Sequence, residues 1–155
     1  MTKTINSDRY FEDYRAGDVK ILGSVTVDEE EMINFARSYD PQSIHIDAEK
    51  AAAGPFNGLI ASGWLTGSLM MRYFAQNFLA EVSSIASPGL DEVRWLAPVR
   101  PGDTLTFRVT TLETRRSRTK PDRGIVKTFT EILNQDEVVV MSTKNVNVIL
   151  CRNPE

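Results

Sequence analysis

After one predicted strand from Lys20 to Val27, apolar residues recur first at helical and then at alternating spacing. The segment after this strand predicts a helix, because one apolar face is formed at i, i+3, i+4 and i+7 by Met32, Phe35, Ala36 and Tyr39. This helix should end near Asp40, since Pro41 disfavours a helical conformation in the residue before it.

A second, longer helix is predicted from about Leu59 to Leu79. It is apolar on nearly every side, which favours a helix wrapped by other structure. Between the two helices we expect a loop from Asp40 to His45 and one short helical turn from Asp47 to Ala53. Four residues of the long helix either shape a pocket or belong to the core, and their helical spacing favours the core: Trp64, Met70, Met71 and Phe74.

The pattern changes to strands after Ser87–Gly89. Four strands are predicted, around Val93 and Trp95, at Leu105 to Val109, at Ile125 to Leu133 and at Val138 to Leu150. Consecutive strands indicate an antiparallel sheet. The chain therefore predicts an α+β domain in which five strands surround the long helix.

Composition fits one ordinary domain over residues 1–155. The hydrophobic content is 41% and the charged content 25%, which is typical of a globular protein. A formal net charge of -3 argues against a general binder of nucleic acid or of an anionic membrane. Cys151 is the only cysteine, so no disulfide framework is expected and the cytoplasm is the default location.

One uncharged stretch, Ala51 to Met71, has the length of a membrane span. Its first part is interrupted by Gly54, Pro55, Asn57 and Gly58. The remainder, Leu59 to Met71, is short for a bilayer, so we interpret it as part of a buried core helix.

His45 is the only histidine, and it lies five residues after Asp40. An imidazole is the side chain whose ordinary pKa lies near neutrality, and a neighbouring carboxylate can orient it or share a water with it. A structural role is equally compatible with the spacing, with Asp40 capping a turn and His45 partly buried. A single histidine also excludes a metal site built from several histidines, and it leaves Cys151 without a second histidine as partner.

Ser62 and Gly63 fall at the predicted first turn of the long helix. Free backbone N–H groups there favour negative charge, and a glycine lets a substrate carbonyl come close, as an oxyanion site requires. The alternative is that Gly63 and Gly67 allow tight packing and that Ser62 caps the helix. From the residues alone, packing is the favoured interpretation.

Five cations lie between two predicted strands: Arg115, Arg116, Arg118, Lys120 and Arg123. They could bind the phosphates of a long anionic ligand such as coenzyme A. A solvated loop is the more usual role of such a run.

Several segments together resemble the MaoC-like dehydratases and (R)-specific enoyl-CoA hydratases. They are the opening Tyr10–Asp18, the hydratase motif with its alanines at Asp40–Ala53, the segment Gly58–Gly63 and the strand and turn Val93–Asp103. Four positions differ from residues common in that family. Gln42 and Ser43 stand where the motif Asp-x-Asn-Pro-x-His has Asn and Pro, Ser62 stands where a His is frequent, and Met71 where some members have Ser.

The resemblance implies a hot-dog fold, an antiparallel sheet wrapped around a long helix and usually paired into a homodimer. It also implies that Asp40 and His45 bind the catalytic water, that the Gly63 N–H holds a thioester carbonyl, and that no cofactor is needed. The implied substrate is an acyl-CoA or acyl-carrier thioester.

Three functions follow from the resemblance. The first is reversible addition of water to a trans-2-enoyl thioester by an (R)-specific hydratase or 3-hydroxyacyl-thioester dehydratase. The second is a thioesterase, in which a carboxylate activates water against the thioester carbonyl. The third is a non-catalytic module that binds acyl-CoA.

Overall fold

The computed structural model describes residues 8–154. A 3-10 turn at Phe11–Asp13 is followed by four helices and five strands. The helices are α1 (Glu29–Tyr39), α2 (Ser43–Ile46), α3 (Ala48–Ala53) and α4 (Gly63–Asn77). The strands are β1 (Val19–Thr26), β2 (Ser84–Trp95), β3 (Thr104–Arg116), β4 (Arg123–Leu133) and β5 (Val139–Leu150).

The five strands form one sheet in the order β1-β3-β4-β5-β2, and every neighbouring pair is antiparallel. This confirms the predicted α+β class. Because β1 and β2 are the outer strands, each leaves one edge of the sheet unpaired among residues 8–154.

Strand β2 begins earlier than predicted. It runs through Pro88 and Gly89, which the sequence analysis placed before the first of these strands. Proline is tolerated in an edge strand because its missing N–H faces away from the ladder. Gly89 has a φ of +153°, and the register with β5 shifts between Ala86 and Gly89, so the strand continues across an irregularity.

Helix α4 packs on the sheet through Leu65, Leu69 and Phe74, which are almost fully buried. The prediction that the helix begins at Leu59 was wrong. The Ile60 N–H donates to the Ile44 carbonyl at 3.1 Å and the Ala61 N–H donates to the Val99 carbonyl at 2.8 Å, so these amides are bonded to other segments.

The prediction that a sheet is wrapped around the long helix is confirmed, and within the single chain α4 keeps one exposed face. Trp64 is 61% exposed and Met71 45% exposed, whereas Met70 and Phe74 are core residues. No helix within residues 8–154 has the length and apolar composition required to cross a membrane.

Helix α1 ends where the sequence predicts, with Tyr39 as its last residue. Its N-terminus is capped by Asp28, whose carboxylate accepts from the Glu31 N–H at 2.9 Å. Met32 and Ala36 are fully buried against the rest of the core. Capping and burial together fix the direction in which the chain leaves the helix at Asp40.

Candidate active site

Asp40 and His45 are brought together by two short turns. The Asp40 N–H still donates to the Ala36 carbonyl at 2.8 Å, so the residue continues from the end of α1. His45 lies in helix α2, and its N–H donates to the Gln42 carbonyl at 2.9 Å. The segment predicted as a loop therefore contains a helical turn, which rotates the imidazole back towards Asp40.

The two nitrogens of His45 have different partners. Its Nδ1 lies 2.8 Å from the Ile60 carbonyl oxygen, and its Nε2 lies 3.2 Å from Oδ2 of Asp40. A carbonyl oxygen only accepts hydrogen bonds, so Nδ1 carries a hydrogen. Nε2 is therefore the nitrogen that can gain or lose a proton. Because the residue is only 5% exposed, the ring is held in this orientation.

Three neighbours hold the carboxylate of Asp40. The Gln42 amide donates to Oδ1 at 2.6 Å, and the Ser62 hydroxyl donates to Oδ2 at 2.7 Å. The Gln42 hydrogen bond is the main cause that holds the pKa of Asp40 below its usual value, with burial acting in the opposite direction and Ser62 and His45 lowering the pKa further. The carboxylate is thus stabilised in its ionised form.

Gln42 was noticed in the sequence only as a departure from the family motif. The signal that could have revealed its role is chemical, because glutamine and the usual asparagine both carry an amide donor. Ser62 is fully buried, and its hydroxyl contacts Asp40 and the N-terminus of α4.

Helix α4 starts at Gly63, and Ser62 is its N-cap. The N–H of Gly63 is the first amide of the helix, where no carbonyl of a preceding turn is available. A Cβ added at Gly63 would overlap the indole of Trp95. Trp95 in turn lies edge-on to Trp64, with ring centroids 5.0 Å apart.

These groups surround a cavity of about 450 Å³. Asp40, His45 and Gly63 all line it, so the structure brings three of the predicted site residues to one space. Most of the remaining wall is apolar and includes Phe56, Ile60, Trp64, Trp95, Leu96, Val99 and Val140. Of the four helix residues weighed as pocket or core, only Trp64 lines the cavity.

Sequence reasoning missed Trp95 and Leu96 as wall residues, and it also missed the Ile60 carbonyl. Trp95 was interpreted only as part of an alternating strand. Its contact with Gly63 joins residues that are distant in sequence, so no local pattern reveals it.

The five cations are not at this cavity within one chain. They lie at the hairpin that joins β3 to β4, where Gly124 pairs with Ile149 of β5. The cavity residue Val140 lies nine residues earlier on β5, which corresponds to roughly 30 Å along the strand. Arg116 pairs with Glu12 at 3.3 Å and Arg123 with Asp122 at 2.8 Å.

The other cations of this hairpin are less constrained. Arg115 lies 3.9 Å from Glu113. Among residues 8–154, Arg118 and Lys120 form no ion pair. These two side chains therefore remain available to an anion.

Outside this cavity, the described part of the chain offers little reactive chemistry. Among residues 8–154, no group of three or more His, Cys, Asp or Glu side chains is placed to hold a metal ion. Cys151 is buried, and burial raises the pKa of its thiol. The Asp40–His45 pair is therefore the main candidate for acid–base chemistry.

Comparisons with known proteins agree on one family. Residues 16–132 match the model of the MaoC like domain. A MaoC-like dehydratase structure from Rhodospirillum rubrum is 34% identical, with a TM-score of 0.87 over 94% of this chain and 99% of that one. An (R)-hydratase from A. caviae involved in PHA biosynthesis is 26% identical, with a TM-score of 0.74 over 90% and 98% of the two chains.

A curated relative carries an enzymatic name. The 3-hydroxyacyl-thioester dehydratase Z of Mycobacterium tuberculosis is 42% identical over 80 residues. This match covers 50% of the chain and 53% of the relative, so about half of each protein is compared. The chain belongs to the MaoC-like dehydratase family and has the hot-dog fold.

Proposed function

We propose that this protein catalyses the reversible addition of water to a trans-2-enoyl thioester, giving an (R)-3-hydroxyacyl thioester. The observation that carries the proposal is the separation of 3.2 Å between Asp40 Oδ2 and His45 Nε2 at the wall of the cavity. Membership of a family of hydratases and dehydratases supports the same class of reaction.

The pair suits a water that donates both of its hydrogens. When His45 is neutral, its Nδ1–H is directed to the Ile60 carbonyl, so Nε2 presents a lone pair beside the Asp40 carboxylate. A water beside both atoms, on the cavity side, can donate one hydrogen to each, which offsets the repulsion between two adjacent acceptors. A water that bridges them is oriented with its oxygen lone pairs towards the cavity, ready to attack carbon.

In the proposed reaction, the water oxygen bonds to C3 of the enoyl group while the Asp40–His45 pair takes one of its protons. The electrons of the double bond move towards the thioester carbonyl, which becomes enolate-like. The pair then returns a proton to C2, and the thioester carbonyl is restored. Positioned proton transfers of this kind are commonly worth about 10²–10⁴-fold in rate.

The amide of Gly63 is proposed to bind the thioester carbonyl oxygen. It is the first N–H of α4, where the helix dipole adds positive potential. A donor aimed at a developing oxyanion typically contributes about 3 kcal/mol to transition-state stabilisation. The apolar wall that includes Phe56 and Val140 would hold the acyl chain.

We further propose a homodimer that pairs the β2 edges of two copies. This edge strand has unpaired backbone groups, and it exposes Ile85 and Leu90 by more than two fifths of their surface. In an antiparallel two-fold pair, the Ser84 end of the partner's β2 lies beside the Trp95 end of this chain. The partner's cationic hairpin is then at the same end of the joint sheet as the cavity, where it can bind coenzyme A phosphates.

Crotonyl-CoA hydration, followed by loss of enoyl absorbance, tests the reaction. Asp40→Asn and His45→Gln should each lower kcat by at least about 100-fold, since both remove proton transfer. Asp47→Asn is the matched control, because Asp47 caps α3 through the Lys50 N–H and asparagine caps equally well. Light scattering should give the mass of a dimer.

Three outcomes would contradict this proposal. Unchanged rates in both site variants would remove Asp40 and His45 from the chemistry. Release of free thiol without a 3-hydroxyacyl product would identify a thioesterase. Tight binding of acyl-CoA without any turnover would identify a binding module.

A further inference from the structure

Ser62 makes two hydrogen bonds that define the direction of its hydroxyl group. Its oxygen accepts from the Trp64 N–H at 3.3 Å, as an N-cap of α4 does. The hydroxyl hydrogen is then free to point elsewhere, and Oδ2 of Asp40 lies 2.7 Å away. Ser62 itself is fully buried, and both of these bonds are partly buried.

The oxygen that Ser62 contacts is the same oxygen that faces His45. Oδ2 of Asp40 lies 3.2 Å from Nε2, while Oδ1 accepts from Gln42. With one donor on each oxygen, the carboxylate cannot rotate without breaking a hydrogen bond. Within the described residues, Gln42, Ser62 and His45 lower the pKa of Asp40. His45 is the titratable group among them, since Gln42 and Ser62 are neutral.

The contact also joins the acid–base pair to helix α4. Ser62 and Gly63 are consecutive, so one rigid helix terminus directs a hydroxyl at Asp40 and an amide at the cavity. A displacement of the Ser62 hydroxyl or of the Gly63 amide changes the distance between the bound water and the thioester carbonyl. Errors of about 1 Å in such arrangements commonly reduce rates on the order of 100-fold.

We infer that Ser62 is a positioning residue, which holds Oδ2 of Asp40 against Nε2 of His45 in register with the first amide of α4. This inference rests on the proposed hydratase function and deepens it, because it assigns a role to a residue that replaces the family's frequent histidine. Capping of α4 alone is the competing role.

Four variants separate the two roles. Ser62→Ala removes both the hydroxyl and the cap, whereas Ser62→Gly removes the hydroxyl but keeps most of the capping preference. Ser62→Thr restores a hydroxyl. Ser68→Ala is the matched control, since Ser68 is on the same helix and its hydroxyl bonds only to the Trp64 carbonyl, at 2.7 Å.

Steady-state kinetics with crotonyl-CoA is the first measurement. Ser62→Ala and Ser62→Gly should lower kcat by about 10- to 100-fold, the range expected for a lost hydrogen bond to a charged group, while KM changes less than about 3-fold. Ser62→Thr should recover most of kcat, and Ser68→Ala should match the wild type.

The second measurement needs no activity. His45 is the only histidine, so its imidazole gives a single set of ¹⁵N resonances that respond to the charge on Asp40. The Ser62 hydrogen bond contributes to the lowered pKa of Asp40. Without it, the acid-side titration step of Asp40 should move to higher pH in Ser62→Ala and Ser62→Gly, but not in Ser68→Ala.

Two results would overturn the inference. One is loss of thermal stability in Ser62→Ala with kcat and the Asp40 titration unchanged, which would leave Ser62 as a cap alone. The other is an equal loss of kcat in Ser62→Thr. If the wild-type protein does not hydrate any enoyl thioester, the proposed function fails, and the resonance measurement still decides whether Ser62 holds Asp40.

Discussion

The indole of Trp95 packs directly against Gly63, in the space that a side chain at residue 63 would occupy. A glycine at this position has two explanations from the sequence, tight packing and access to an oxyanion site. The structure supports packing by direct contact and also places the glycine at the cavity wall. The missing side chain therefore makes room for Trp95 and leaves residue 63 at the border of the cavity.

Gly63→Ala should reduce both stability and activity. The new methyl group would meet the Trp95 ring, and overpacking of this kind costs typically about 1–3 kcal/mol. Displacement of Trp95 would also alter the cavity, so kcat/KM for crotonyl-CoA should fall at least about 10-fold.

Gly67→Ala is the matched control for this variant. Its Cβ would meet only the terminal methyl of Met141, at 3.3 Å, which can move aside. Alanine is also favoured over glycine inside a helix, so the thermal stability should be unchanged or higher by up to about 1 kcal/mol, and kcat/KM should remain close to wild type. Equal changes in stability and in kcat/KM for the two substitutions would show that the Trp95 ring can move without cost and that Gly63 is not required for packing.

Asp40 should make stability depend on pH in a defined direction. The Gln42 hydrogen bond above all, and then Ser62 and His45, hold the pKa of Asp40 below its ordinary value against the opposing effect of burial. Such a group stabilises the folded state above its unfolded pKa of about 3.9, and this stabilisation is lost as pH falls through the lower folded value.

The difference in free energy of unfolding between wild type and Asp40→Asn should therefore shrink as the pH falls below about 4. Urea unfolding at a series of pH values measures it. A difference that grows towards acid would mean that the pKa of Asp40 is raised in the folded protein.

The hairpin cations Arg118 and Lys120 should affect substrate binding rather than the chemical step. If the partner's hairpin binds coenzyme A phosphates, the double substitution Arg118→Gln and Lys120→Gln should raise KM for crotonyl-CoA about 5- to 20-fold, as for two lost charge-assisted contacts. The kcat value should stay within about 2-fold, because the phosphates of coenzyme A are remote from the reacting C2 and C3 atoms of the enoyl group.

A crotonyl thioester of N-acetylcysteamine, which has no phosphates, is the control substrate. Its KM should be the same for wild type and the double variant. An equal rise in KM for both substrates, or no rise for crotonyl-CoA, would rule out phosphate binding by this hairpin.

Gly124→Ala should destabilise the protein without touching the cavity. A Cβ at this position would overlap the ring of Phe11, which packs the N-terminal 3-10 turn onto strand β4. We expect a loss of about 1–3 kcal/mol in urea unfolding. Phe11→Ala should relieve the clash, so the double variant should be more stable than the sum of the single effects predicts. If the losses in free energy of unfolding simply add in the double variant, the Phe11 ring does not contact residue 124.

Local patterns predicted the elements well and their ends less well. Pro41 correctly placed the end of α1, since its effect acts on the adjacent residue. The start of α4 was predicted too early, because Ile60 and Ala61 are as apolar as helix residues while their amides bond to distant carbonyls. Pro88 was interpreted as a boundary, and only the edge position of β2 explains why the strand passes through it.

The fold class and the residue types available for chemistry, with Asp40, His45 and Gly63 as candidates, could be predicted from the sequence alone. This was possible because periodicity, proline and residue chemistry act over a few neighbouring positions. The contacts between distant residues depend on the folded chain: Nδ1 of His45 with the Ile60 carbonyl, Ser62 with Asp40, and Trp95 with Gly63. The fold also separates the cationic hairpin from the cavity within one chain. These contacts join residues 15 or more positions apart, and local spacing does not encode which of them come together in the folded chain.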